Sequence, residues 1–221
     1  MQNMQTANSN LPAALSNLGN ALIQEGEAAT GLGGDLLKFL ARQGGSWVYG
    51  KEGTDVEEGS LWAANPMSFE HGFVCWKDQK VAGEHMVGVG IAKPDQLSLP
   101  DNGQDSKGNA TKWQGQMSIK LKCTSGEDKG VEVIYKTSTV GGVSAIKALA
   151  KAVGNQINSG TLAVAPLVEL EVDSYQHSDY GKMYTPVLKV NSWVNMDGTA
   201  GNSEPEEVEE EEKPKARRRR S

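Results

Sequence analysis

The run Met117-Ser118-Ile119-Lys120-Leu121-Lys122-Cys123 alternates apolar and polar side chains without a break. Successive side chains of a β-strand point to opposite faces, so this run predicts a strand with Met117, Ile119, Leu121 and Cys123 on a core and Ser118, Lys120 and Lys122 on the other side. The turn-rich Ser125-Gly126-Glu127-Asp128-Lys129-Gly130 follows, then a second strand-like run from Val131 to Thr137. The two runs read as a hairpin.

Working outward, Thr139 to Gly142 breaks the two-residue period. Beyond it Val143, Ile146, Leu149, Ala150, Val153 and Ile157 recur at helical spacing and predict one amphipathic helix whose exposed side carries Lys147 and Lys151. Two more strand runs, Leu167 to Ser174 and Met183 to Val194, flank the turn-forming His177-Ser178-Asp179-Tyr180-Gly181-Lys182. Towards the N-terminus, strands are expected at Ser46 to Tyr49, Ser60 to Ala63, Gly72 to Trp76 and Val81 to Ile91, with a polar loop from Pro94 to Lys112. Taken from Phe73, the order strand, strand, strand, helix, strand, strand is that of the OB-fold, a five-stranded Greek-key barrel used for oligonucleotides. The expected fold class is mainly β (α+β): an OB-like barrel of five or more antiparallel strands with one main helix.

This body spans residues 44–196. Residues 1–43 read as a flexible extension with short helices, one at Leu11, Leu15, Leu18, Leu22 and Ile23 and a second apolar turn at Leu36, Leu37, Phe39 and Leu40 after Gly31, Gly33 and Gly34. Residues 197–221 read as a disordered tail, since seven glutamates between Glu204 and Glu212 and six basic residues between Lys213 and Arg220 give it little apolar surface to bury.

The 221 residues suit one domain with extensions. Two cysteines, Cys75 and Cys123, are too few for a disulfide framework and point to a reducing compartment. Neither a signal-peptide pattern at Met1 to Asn10 nor a run of about 20 apolar residues is present, so the expected location is the cytoplasm, with no membrane partner. In a nucleated host Lys213 to Arg220 would also pass as a nuclear import signal. Between Gly44 and Asn202 there are 14 Lys, no Arg and 18 acidic residues, which disfavours a reader of duplex sequence, because that task relies on clustered cations and bidentate guanidinium groups.

Lys120, Lys122 and Lys136, with Trp113, Tyr135, Tyr184 and Trp193 on neighbouring runs, supply what a single strand needs: cations that follow phosphates and rings on which any base can stack. The same residues also fit a buried aromatic core beside a solvated lysine face. In the tail, Glu209, Glu210, Glu211 and Glu212 would recruit replication or host proteins, and Arg217, Arg218, Arg219 and Arg220 an acidic partner or nucleic acid. Self-association into a homo-oligomer is a further expected mode. His71 and Cys75 stand four apart while His85, Cys123 and His177 are scattered, matching no zinc spacing, so neither metal nor cofactor is expected. Glu57, Glu58 and Asp55 read as solvated acids, Gly141-Gly142 lacks the Lys and Ser/Thr of a P-loop, and no Ser, His and Asp grouping marks a nucleophile, so catalysis is not expected.

The stretches CTSGEDKGVEVIYKTSTVGG (Cys123 to Gly142) and YGKMYTPVLKVNSWV (Tyr180 to Val194) resemble a group of phage and prophage proteins without assigned function, a likeness spanning most of residues 44–196. The plan of an OB-like body before an acidic tail is similar to that of phage single-stranded DNA-binding proteins, although here four arginines follow the acids. The resemblance implies a phage-encoded, non-catalytic protein of DNA replication that binds single strands. The alternative is a phage structural or host-factor-interacting protein working through protein contacts.

Overall fold

The computed structural model describes residues 34–198. In chain order these form β1 (Asp35–Leu40), β2 (Ser46–Tyr49), β3 (Thr54–Asp55), β4 (Leu61–Ala64), β5 (Glu70–Lys77), β6 (Lys80–Gly88), β7 (Trp113–Cys123), β8 (Glu132–Thr137), α1 (Val140–Asn158), β9 (Ala165–His177) and β10 (Gly181–Val194). The body is mainly β, with one α-helix among the described residues. The alternating run is the C-terminal part of β7, antiparallel to β8 with Met117 opposite Thr137 and Lys122 opposite Glu132. Asp78 and Gln79 join β5 to β6 with φ of 50° and 64°, the left-handed pair that a two-residue hairpin turn demands.

α1 starts where Thr139 accepts a hydrogen bond from Gly142 N at 3.2 Å, and the left-handed Gly160 follows its end. Ile146, Leu149 and Val153, spaced three and four apart, are its buried stripe. They pack with Leu37, Trp47, Trp62, Ile119, Val133, Tyr135 and Val168 in one core. Aromatic rings of β1, β2 and β8 meet edge to face, Phe39 to Trp47 at 5.1 Å and Trp47 to Tyr135 at 5.0 Å, each pair adding about 0.5–1.5 kcal/mol beyond area burial. Trp62 is fully buried and still satisfied, its Nε1 donating to Ser60 Oγ at 2.9 Å.

The sheet runs β10-β9-β4-β7-β8-β1-β2-β3. It is mixed, because β1 lies parallel to β8, and its ladders do not close into a ring among the described residues. β7 works along both edges: one side pairs with β8, while the other pairs with β5 over Trp113–Ser118 and with β4 over Leu121–Cys123. The sheet nevertheless curls until β2 meets β9. Trp47 Nε1 donates to the Glu171 carbonyl at 2.9 Å, and Gly45 lies against Val172 and Tyr184 so closely that a Cβ there would overlap both. A side chain, not a ladder, bridges the seam.

Three expectations change. Leu36, Leu37, Phe39 and Leu40, read as a helical turn, belong to β1, where Leu37 is buried and pairs with Tyr135 of β8 and Tyr49 of β2. Residues 35–43 therefore belong to the sheet and its first turn. The four runs expected between Gly72 and Thr137 all form strands, β5 to β8, so four strands and not the three of the OB order precede the helix in the span from Phe73. The strands are also not all antiparallel, as β1 and β8 run the same way. The helix expected at Leu11 to Ile23 and the charged tail lie outside the described residues.

Candidate nucleic-acid interface

β7 and β8 lay out the lysines as the alternation demands. Gln114, Gln116, Ser118, Lys120 and Lys122 share the outer face of β7, opposite the core residues Met117, Ile119, Leu121 and Cys123, and Lys136 stands beside Ser118 on β8. Two of the three cations already have partners. Lys122 Nζ is 2.9 Å from Glu132 Oε1 with both side chains more than half exposed, and Lys136 Nζ is 2.9 Å from Glu84 Oε2 in a setting about one-third exposed. Lys120 is exposed and makes no side-chain ion pair among the described residues. An exposed pair such as Lys122–Glu132 is worth about 0–1 kcal/mol and holds that lysine only weakly.

The middle of this face is closed. Ser118 Oγ donates to Glu70 Oε2 at 2.6 Å and Gln116 Nε2 to Glu84 Oε1 at 2.5 Å, leaving both β7 residues buried. Glu84 reaches across from β6, where it stands opposite Val74, one row from the Gly72–Gln116 pair. A Cβ at Gly72 would overlap the His85 carbonyl.

The expected aromatic platform is dispersed. Tyr135 is 2% exposed and faces the core from β8, opposite in parity to Lys136, so no base can stack on it. Burial pushes its phenol up to about 12. Trp193 packs against the core from β10. Trp113 folds over Gly83, with Nε1 donating to the Pro100 carbonyl at 2.9 Å. Tyr184 sits at the seam with Lys182 Nζ 5.0 Å from its ring centre.

The exposed rings are elsewhere. At one end of the outer face, Trp76 of β5 is 43% exposed and lines a cleft of about 260 Å³ with Gln114. The distal half of the β9–β10 hairpin carries Tyr175 and Tyr180 in the open, with the half-buried His177 ring 4.8 Å from that of Tyr180, centre to centre. Lys122, Ala63 and Leu167 line up across β7, β4 and β9, and Tyr175 is eight residues further along β9, about 26 Å at strand rise. Lysines and hairpin rings do not form one surface.

Other candidates have structural work. Glu57 Oε2 accepts from Glu127 N at 2.7 Å, and Asp128 Oδ1 accepts from the Tyr49 hydroxyl at 2.6 Å, so acids of two loops pin the β7–β8 turn. That bond to Asp128, with burial, pushes the Tyr49 phenol up to about 12. Gly141 packs on Thr185 and Pro186, Gly142 on Thr137 and Tyr135, and the capping Thr139 already accepts from Gly142 N. His71 Nε2 is 3.0 Å from the Ile91 carbonyl. Among the described residues no three His, Cys, Asp or Glu side chains gather to hold a metal ion, and no helix is long and apolar enough to cross a membrane. Alternation revealed the lysine face in the sequence, but Trp76 escaped notice because a tryptophan ending an apolar run reads as core.

No family model, curated protein or solved structure matches the chain.

Proposed function

We propose that the protein is a phage-encoded, non-catalytic binder of single-stranded nucleic acid, its body an OB-like barrel opened to admit an extra hairpin. The observation that carries this is the outer face of β7 and β8, where Lys120 and Lys122 project side by side with Lys136 one row away. Topology supports the same reading. In an OB barrel the first strand pairs with the second and fourth, the second with the third and the fourth with the fifth, with the helix between third and fourth. Here β4 and β5 share the place of the first strand, both antiparallel to β7; β7 pairs with β8, β4 with β9, and β9 with β10, and α1 lies between β8 and β9. Where the third strand would meet the fifth, β8 takes β1 in parallel instead, and Trp47 of β2 spans the remaining gap. On that correspondence β7 and β8 are strands two and three, whose face binds oligonucleotides in OB-folds.

The test is binding of full-length protein to oligo(dT) and to duplex at two salt concentrations. Lys120→Ala with Lys122→Ala should weaken oligo(dT) binding and flatten its salt slope by about 0.7 for each phosphate that is no longer neutralised. Deleting Arg217 to Arg220 should weaken it further. Absence of oligo(dT) affinity even at low salt would sink the proposal.

The second reading, a phage structural or host-factor-interacting protein, is favoured by the β9–β10 hairpin, whose open Tyr175 and Tyr180 are of the residue type that anchors protein interfaces. Alanine at Tyr175 and Tyr180 would abolish partner capture under that reading and leave oligo(dT) affinity alone.

A further inference from the structure

The cleft at the Trp76 end of the outer face differs from the lysine end in what it can accept. Trp76, Asp78, Gln79, Asp105, Lys112 and Gln114 line it. About 260 Å³ is less than the roughly 300–1,000 Å³ that holds a drug-sized ligand, leaving room for one ring system. Trp76 offers an open indole at its side. The charged and amide groups facing it are carboxylates and primary amides, with a single cation, Lys112, among the lining residues.

The cleft is built rather than incidental. Asp78 Oδ1 accepts from Ser106 N and Ser106 Oγ, which ties the 89–112 loop to the β5–β6 turn. Asp105 Oδ1 accepts from Lys107 N at 2.9 Å and Asn109 N at 2.8 Å, closing the loop on itself. Gln114 is on the same face of β7 as Lys120, six residues or about 20 Å away. A strand lying over the lysines reaches the cleft by passing over Ser118 and Gln116, which Glu70 and Glu84 cover.

Resting on the single-strand reading above, we infer that this cleft receives one unpaired base of the bound strand, stacked on Trp76, and selects bases that carry an exocyclic amino group. Two carboxylates repel phosphate, so the nucleotide enters base first, with Lys112 at the mouth for its phosphate. Hydrogen bonds from Ser106 and from Asn109 hold the Asp78 and Asp105 carboxyls below the usual carboxylate range, so both are ionised at neutral pH and only accept. Among the described residues no donor reaches Asp78 Oδ2. Cytosine presents N4–H₂ to such an acceptor, whereas thymine presents the O4 carbonyl at the same position. Base stacking alone tolerates every sequence, so a preference between two pyrimidines of equal size reports the carboxylates and not the indole.

The experiment measures anisotropy of labelled dC12 and dT12 at pH 7.5 with full-length wild type, Trp76→Ala, Asp78→Asn and the Lys120→Ala/Lys122→Ala pair, folding being checked by circular dichroism. Asp78→Asn keeps the Oδ1 acceptor for Ser106 and suits the positive φ at this position, where Asn is well tolerated. Wild type should bind dC12 about tenfold tighter than dT12, the scale of one hydrogen bond to a charged group. Asp78→Asn should bring that ratio to about one, Trp76→Ala should weaken both oligonucleotides, and the lysine pair should weaken both without changing the ratio. Equal affinities in wild type, or a ratio that survives Asp78→Asn, overturns the inference and leaves the single-strand reading standing. If neither oligonucleotide binds, both are overturned.

Discussion

Two glycines of α1 carry opposite predictions for one substitution. Alanine is worth about 1 kcal/mol over glycine in a helix interior, so propensity alone favours both changes. At Gly154 no described residue comes within 4 Å of an added Cβ, and Gly154→Ala should raise stability by up to about 1 kcal/mol. At Gly142 the new methyl would overlap Thr137 Oγ1 and the Tyr135 hydroxyl, both held in place on β8. Overpacking costs about 1–3 kcal/mol and outweighs propensity, so Gly142→Ala should destabilise. Urea midpoints of the two variants decide it. From spacing, Gly142 is only a turn glycine before a helix, because the hydroxyls it touches belong to a neighbouring strand and periodicity along the chain does not report how closely two elements approach. Trp76 is the converse: the strand run Gly72 to Trp76 says nothing of its exposure, and in the fold it stands open at the cleft.

Among elements, β7 and β8 were legible because one face is core and the other solvent, which writes the two-residue period into Met117 to Cys123. β1 was not. Leu36, Leu37, Phe39 and Leu40 satisfy a helical turn as well as a short strand, and the choice is made by pairing with β8 and β2, the first of them far along the chain. The β5–β6 hairpin depends on a residue that carries no pattern at all. At Gly72 the β6 backbone lies directly against β5, while from β6 Glu84 bonds Gln116 and Lys136. A methyl there meets the His85 carbonyl, which is backbone and cannot swing aside. Gly72→Ala should therefore cost about 1–3 kcal/mol and loosen β6 selectively. Hydrogen exchange should show faster amides across Lys80–Gly88, with those of β7 paired to β8 retained.

For the molecule as a whole, the legible part of the site is its charge and the illegible part its rings, since exposure of an aromatic residue depends on which strands the curl leaves uncovered. The fold also holds two phenols protonated, which makes stability sensitive to alkali. Tyr49, bonded to Asp128, and Tyr135, desolvated in the core, both have folded pKa values of about 12 against 10 for the ordinary group. Unfolded chain loses these protons first, so the folded state binds more protons between pH 10 and 12 and its stability falls as pH rises through that window. Below pH 10 the contribution is fully present. Urea unfolding from about pH 9 to 12 should show this decline, and Tyr135→Phe should make it shallower; an unchanged slope would show that the buried phenol is not responsible.

The parallel pairing of β1 with β8 also sets a schedule. Asp35 sits opposite Val133, so nearly a hundred residues must be added to the growing chain after β1 before its partner exists. At about 5–20 residues per second that delay is on the order of 5–20 s. During it Leu37 and Trp47, both core residues of the finished sheet, have no core to enter. The hairpin of β1 and β2 thus leaves the ribosome early and finds shelter late, and a newborn chain is most in need of a chaperone over that interval.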